Sequence, residues 1–178
     1  MGMKNDFVMP VLVLSILCLL VSGALAIGNR LTKPVIEEAA AQRAEAARRE
    51  IIPQASEFVL LEMKDMPKSV TAVYKTTNNT GYIFMTTTRG YGGEIKLICG
   101  IDLNGKLIKT AVLSQSETKG FGTPVFEEPH AGQFWGKDKN GIGSVQGISG
   151  ATISSNAFKK GIEDSFEAYE ILSLTARE

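Results

Sequence analysis

The sequence predicts an α+β protein: a single N-terminal transmembrane helix, then one mostly antiparallel β-sheet domain with flanking helices. Three observations predict it. Phe7–Ile27, FVMPVLVLSILCLLVSGALAI, contains no charged residue. Between residues 57 and 116 the chain breaks into short runs rich in β-branched and aromatic residues. Beyond Ser155, apolar residues recur at Phe158, Ile162, Phe166, Tyr169 and Leu172, which is the spacing of one helix face.

The elements follow in order. Residues 1–6 form a short polar tail. Residues 7–27 form the transmembrane helix, since 21 residues at ~1.5 Å rise span about 31 Å, the thickness of a bilayer core. Lys4 and Asp6 precede the run, and Arg30 and Lys33 follow it. Ala24-Leu25-Ala26 resembles a signal-peptidase site, but the apolar run is longer than a signal peptide needs, which favours a retained anchor. Lys4 and the amino terminus against Arg30, Lys33 and Arg43 tilt a bare charge count toward a cytoplasmic C-terminal part. Residues 28–55 are a helical stalk or linker, Ala-rich and charged, with Pro34 placed to open its helix. Its apolar stripe is weak: it reads as a stalk that continues from the membrane and lies partly on the domain, with a solvated helical spacer as the plainer expectation.

Residues 56–178 form the folded domain. The runs FVLLEM, SVTAVYK, TGYIFMTTT, GEIKLICGID and KLIKTAVLSQ read as strands. Asn104-Gly105 joins the last two as a hairpin turn. A Gly-rich loop region runs from Glu117 to Gly147, and the amphipathic helix closes the domain.

Composition narrows the chemistry. Lys plus Arg number 19, as do Asp plus Glu, so nothing electrostatic favours nucleic acid. One histidine, His130, and two distant cysteines, Cys18 and Cys99, form no metal-ligand motif. Both cysteines read as small buried hydrophobes. No metal site and no catalytic residue is assigned.

Three loops carry polar or flexible residues in patterns that suit a ligand. Arg89-Gly90-Tyr91-Gly92-Gly93 gives a backbone able to approach a ligand closely, and reads equally as a loop entering the hairpin. Ser114–Gly122, SQSETKGFG, follows a strand directly. Its glycines permit an anion-binding concavity, Glu117 and Thr118 offer polar contacts, and Phe121 can cover an aromatic face. An ordinary polar loop is the alternative. Ser149–Ser155, SGATISS, precedes the last helix. Ser154 or Ser155 suits its N-cap. The free N–H groups of a helix start suit a phosphate. Gly150 and Ala151 remove bulk beside the Thr152 hydroxyl. With no GxSxG and no triad, a hydrolase is disfavoured, and any reaction at Thr152 calls for activation by another protein.

These residues carry a resemblance. SGATISS is similar to the attachment motif [S/T]-G-A-[S/T]-x-x-[S/T] of the FMN-binding domain family, in which flavin mononucleotide is joined to a threonine through its phosphate. SETKGFG resembles that family's E-T-x-G-x-G loop, and RGYGGEIKLICGIDLNGKL its glycine-rich hairpin. The three motifs occur in family order across residues 70–170. The resemblance implies covalent FMN on Thr152, with Tyr91, Glu117, Thr118, Gly120, Phe121, Ser149, Gly150, Ala151 and Ser155 around it. Tyr91 and Phe121 would pack on the ring, and Glu117 and Thr118 would touch its polar edge or the ribityl chain.

Within the family the chain is most similar to the G subunits of Rnf-type ferredoxin:NAD⁺ oxidoreductases. These are electron-carrying subunits of ion-translocating membrane complexes, without turnover of their own. The C subunits of sodium-translocating NADH:quinone reductases are the nearest alternative. A membrane-anchored binding module without redox work, and a tethered flavoprotein outside any complex, are the others. The resemblance implies further complex subunits, an exported flavin transferase and membrane lipid as partners, and a flavin domain on the extracytoplasmic side, against the charge count. Two positions depart from the family pattern. Gln146 stands where an acidic residue is frequent, and Lys119 where proline is.

Overall fold

The computed structural model describes residues 3–63 and 65–175. Residues 1 and 2 of the expected tail and 176–178 of the expected domain lie outside them. The elements run in the order α1 (Met3–Ile51), β1 (Phe58–Leu61), β2 (Val70–Thr76), β3 (Tyr82–Arg89), β4 (Glu94–Ile101), β5 (Leu107–Ser114), α2 (Glu128–Ala131) and α3 (Thr152–Thr175). Short 3-10 turns lie at Thr123–Phe126, Gly132–Phe134 and Gly141–Ser144. The region read as loop from Glu117 to Gly147 therefore holds four short helical turns.

Residue contacts divide the chain into two units, 1–42 and 43–178. In the first, α1 is the one helix among the described residues long and apolar enough to cross a membrane. Its most apolar window has a mean hydropathy of 2.7 with none of it buried. Both Pro10 and Pro34 lie inside α1. Pro34 thus continues a helix instead of opening one, at the cost of one N–H in an exposed stretch. Cys18 is exposed on this helix, contrary to its reading as a buried hydrophobe, whereas Cys99 is buried.

The second unit is built on a five-stranded sheet in the order β1-β2-β3-β4-β5. Every neighbouring pair is antiparallel, as the hairpin pattern requires. The β4–β5 turn is longer than Asn104-Gly105 alone predicts. Ile101 pairs with Leu107, and the Asp102 carboxylate accepts hydrogen bonds from the N–H groups of Asn104 and Lys106 at 2.8 Å. An Asx-type turn has thus replaced the two-residue loop.

Alternation along the strands gives the sheet two buried faces. On one face Phe84, Leu97 and Cys99 meet Phe158, Ile162 and Phe166 of α3. All five apolar positions read for α3 point inward, with Tyr169 half-buried. On the other face Ile83 and Ile98 meet Ile51 and Ile52 at the end of α1. The last turns of α1 are therefore not wholly solvated, as a spacer would be: Ala44, Ile51 and Ile52 are buried. Arg48 lies there with its guanidinium 4.4 Å from the Tyr74 ring centroid, a cation–π contact.

Candidate functional site

The site forms where the β3–β4 connection, the loop after β5 and the start of α3 converge. Each loop has a local reason for its path. Gly93 ends the first connection, where the Gly90 N–H donates to the Gly93 carbonyl at 2.8 Å. In the second, Phe121 and Gly122 both donate to the Thr118 carbonyl, and Gly120 turns the chain at φ +80°. In the third, Ala151 donates to the Ile148 carbonyl at 3.0 Å and Gly150 takes φ +83°. Only glycine adopts that conformation without strain, so Gly150 serves backbone shape as well as small size.

One carboxylate joins the three loops. Glu117 is buried. Its Oε1 accepts the Gly92 N–H at 3.0 Å, and its Oε2 accepts the Ser154 hydroxyl at 2.6 Å. Glycines make the space it occupies. A Cβ on Gly90 would lie 2.1 Å from Glu117 Oε1, and one on Gly122 would lie 2.6 Å from Oε2. Both of its oxygens accept from protein donors, and Glu117 also lines the pocket formed at this junction.

Helix α3 begins at Thr152, earlier than the serines expected to cap it. Ser154 and Ser155 lie within its first turn and are buried. The Ser154 hydroxyl donates to Glu117, and the Ser155 hydroxyl accepts the Ile148 N–H at 3.0 Å. They tie loops to the helix instead of capping it. Thr152 opens the helix and is exposed. The first N–H groups of a helix have no carbonyl of their own to bond, and here they start beside the Thr152 hydroxyl.

Around this junction lies an open pocket of about 380 Å³, the size of a small-molecule site. Tyr91, Glu117, Thr118, Phe121, Gly150, Ala151 and Thr152 line it, so seven of the ten residues named from sequence come together. Gly120, Ser149 and Ser155 do not line it: Gly120 and Ser149 are exposed outside it and Ser155 is buried behind it. Lys119 is exposed and lies outside the lining. Gly122, Ile153 and Ser154 also line the pocket, though none of them was named as a ligand contact. Ile153 had a signal, being a large apolar residue off the core stripe of α3, and it is 55% exposed.

The lining fits a flat aromatic group carrying an anion. Tyr91 and Phe121 are 74% and 70% exposed, so two ring faces are free to stack. The start of α3 offers unpaired N–H groups and the positive end of a helix dipole to a phosphate. Among the described residues no general base reaches Thr152. Glu117 is occupied, and His130 is buried elsewhere, its Nδ1 2.8 Å from the Val125 carbonyl and its Nε2 3.2 Å from the Gln146 carbonyl. Among the described residues no cluster of His, Cys, Asp or Glu could hold a metal ion.

Comparison with known proteins places these residues in context. Residues 90–167 match the model of the FMN-binding domain family. Over 91% of both chains, the sequence is 29% identical to the G subunit of the Na⁺-translocating ferredoxin:NAD⁺ oxidoreductase complex of Acetobacterium woodii. Over 86% of both chains it is 28% identical to the G subunit of the proton-translocating ferredoxin:NAD⁺ oxidoreductase complex of Clostridium ljungdahlii. It is 35% identical to the G subunit of an ion-translocating oxidoreductase complex of Methanosarcina acetivorans, over 66% of this chain and 70% of the relative.

Proposed function

Since the chain belongs to the family of G subunits of ion-translocating oxidoreductase complexes, built on an FMN-binding domain, we propose that it relays electrons through FMN bound covalently to Thr152 in such a complex. The observation that carries this reading is the convergence of Tyr91, Phe121 and the exposed Thr152 hydroxyl on one pocket at the start of a helix.

Bound FMN would supply one- and two-electron transfer, which no side chain here can provide. The residues do the holding. Thr152 would anchor the phosphate as an ester, leaving one ionisable oxygen for the N–H groups of the first turn of α3. Tyr91 and Phe121 would cover the ring, with Ile153 adding apolar surface at its margin. With no base at Thr152, attachment is assigned to a separate flavin transferase. The 7–27 segment would cross the membrane and pack against lipid and the other subunits, with 28–55 leading to the flavin domain. That domain would face the extracytoplasmic side, where a covalent link keeps the cofactor from being lost. The partners are the remaining subunits of a ferredoxin:NAD⁺ oxidoreductase. The ion path belongs to those subunits, because Phe7–Ile27 holds no charge.

The test is denaturing electrophoresis with in-gel flavin fluorescence, together with intact mass. The protein is exported with a flavin transferase, and Thr152→Ala runs beside it. The expected result is a fluorescent band heavier by one FMN less one water, dark in the variant. A dark wild-type band of unmodified mass, with the transferase active on another substrate, refutes the assignment.

A further inference from the structure

We propose that Glu117 is the positioning residue of the flavin site: it fastens three loops into the pocket's shape, and its negative charge lowers the reduction potential of the flavin held there. The second half rests on the function proposed above. The first rests on this chain alone.

The contacts suit a carboxylate. Glu117 accepts on both side-chain oxygens, from the Gly92 N–H and the Ser154 O–H. An ionised carboxylate satisfies that arrangement. No Lys, Arg or His forms an ion pair with it among the described residues. A buried charge without a cation is costly unless it is well hydrogen-bonded. Here the two bonds go to segments 25 and 37 residues away in sequence, so the same contacts that tolerate the charge also bind the loops. The loops in turn have given up side chains at Gly90 and Gly122 to admit it.

The consequence for the pocket is direct. Gly92 is the neighbour of Tyr91, Ser154 is two residues from Thr152, and Phe121 lies on the loop that Glu117 begins. A shift of Glu117 displaces the stacking residues and the attachment residue together. Glu117 is also one of the residues that line the pocket. Adding electrons to a ring beside a fixed, poorly screened anion is disfavoured.

Two substitutions separate shape from charge. Glu117→Gln keeps both links, since its carbonyl accepts from Gly92 and its amide donates to the Ser154 hydroxyl, but it removes the charge. Glu117→Ala removes both. The full-length protein is compared in detergent in two ways: amide hydrogen exchange at residues 90–93 and 117–122 before flavin attachment, and potentiometric titration of the flavin after it. The expected results are wild-type exchange in Glu117→Gln and at least tenfold faster exchange in Glu117→Ala. Glu117→Gln should also favour two-electron reduction at least tenfold, an upward shift of about 30 mV. Wild-type exchange in Glu117→Ala, or an unchanged potential in fully labelled Glu117→Gln, overturns the proposal. If wild-type protein takes up no flavin, the functional reading fails, and the exchange comparison still decides whether Glu117 fastens the loops.

Discussion

Replacing Gly92 with alanine tests how tightly the site's loops are joined. A Cβ at that position would sit 2.0 Å from the Ser116 carbonyl oxygen, 2.8 Å from its carbon and 3.2 Å from Glu117 Cα. All three atoms are backbone, so no side chain can swing aside. Cβ contacts below 3.0 Å essentially do not occur, so the loops must part by at least 1 Å. That movement lengthens the 3.0 Å bond from Gly92 N–H to Glu117 to about 4 Å, beyond hydrogen-bonding range. Overpacking costs about 1–3 kcal/mol, and a hydrogen bond to a charged group is worth about 1.5–3 kcal/mol. The two share one displacement and do not add fully, which leaves about 2–4 kcal/mol. At ~2.1 cal/mol/K per residue, unfolding of the 43–178 unit changes entropy by about 0.3 kcal/mol/K, so Tm falls by about 7–13 °C. The assay is thermal unfolding of the full-length protein in detergent, followed by the fluorescence of Trp135. Gly143→Ala is the control, because its Cβ would meet nothing within 4 Å. A Gly92→Ala protein melting within ~2 °C of wild type, or a Gly143→Ala protein melting as low as Gly92→Ala, would refute the reasoning.

Two further outcomes concern the core. Gly100 lies under the end of α1, where a Cβ would come 2.3 Å from Ile51 Cγ2. Gly100→Ala should cost about 1–3 kcal/mol in denaturant unfolding and speed amide exchange at residues 48–52, and unchanged exchange there would contradict the packing described. Burial pushes the Cys99 thiol up to about 12, opposed by a weaker hydrogen bond with Ser165. The folded chain keeps this proton above pH 9 while the unfolded chain loses it, so stability is full below about pH 9 and declines toward pH 12. The slope is about 1.4 kcal/mol per pH unit. Cys99→Ala should remove that part of the slope when unfolding is measured between pH 8.5 and about 11, and an identical slope in both proteins would count against it.

Much of this architecture is legible in the residues because it is periodic. The five strands and the inward face of α3 repeat every two or every three to four residues, and burial follows that repeat at Leu97, Cys99, Phe158 and Ile162. Thr152, Tyr91 and Phe121 are legible through motif order, and the pocket gathers them. What escapes is what depends on partners remote in sequence. Nothing local shows that Glu117 is spent on Gly92 and Ser154, or that Gly90 and Gly122 are small for its sake. Helix α3 begins at Thr152 because the Ile148–Ala151 turn already closes the chain before it. Local capping preference therefore names the wrong serines. The short helices between residues 123 and 144 are too brief to impose a period. The Asn104-Gly105 signal is real, but the Asp102 side chain adds a competing set of bonds around it.

The Glu117 junction also governs how the sequence can drift. One carboxylate serves three segments, so Gly90, Gly92, Gly122 and Ser154 do not vary as independent letters. Once any of them has displaced the carboxylate, a change at another meets a contact that is already gone, and its further cost is small. A lineage that loses one of these residues is therefore freed to lose the rest, and one that keeps the carboxylate must keep them as a set.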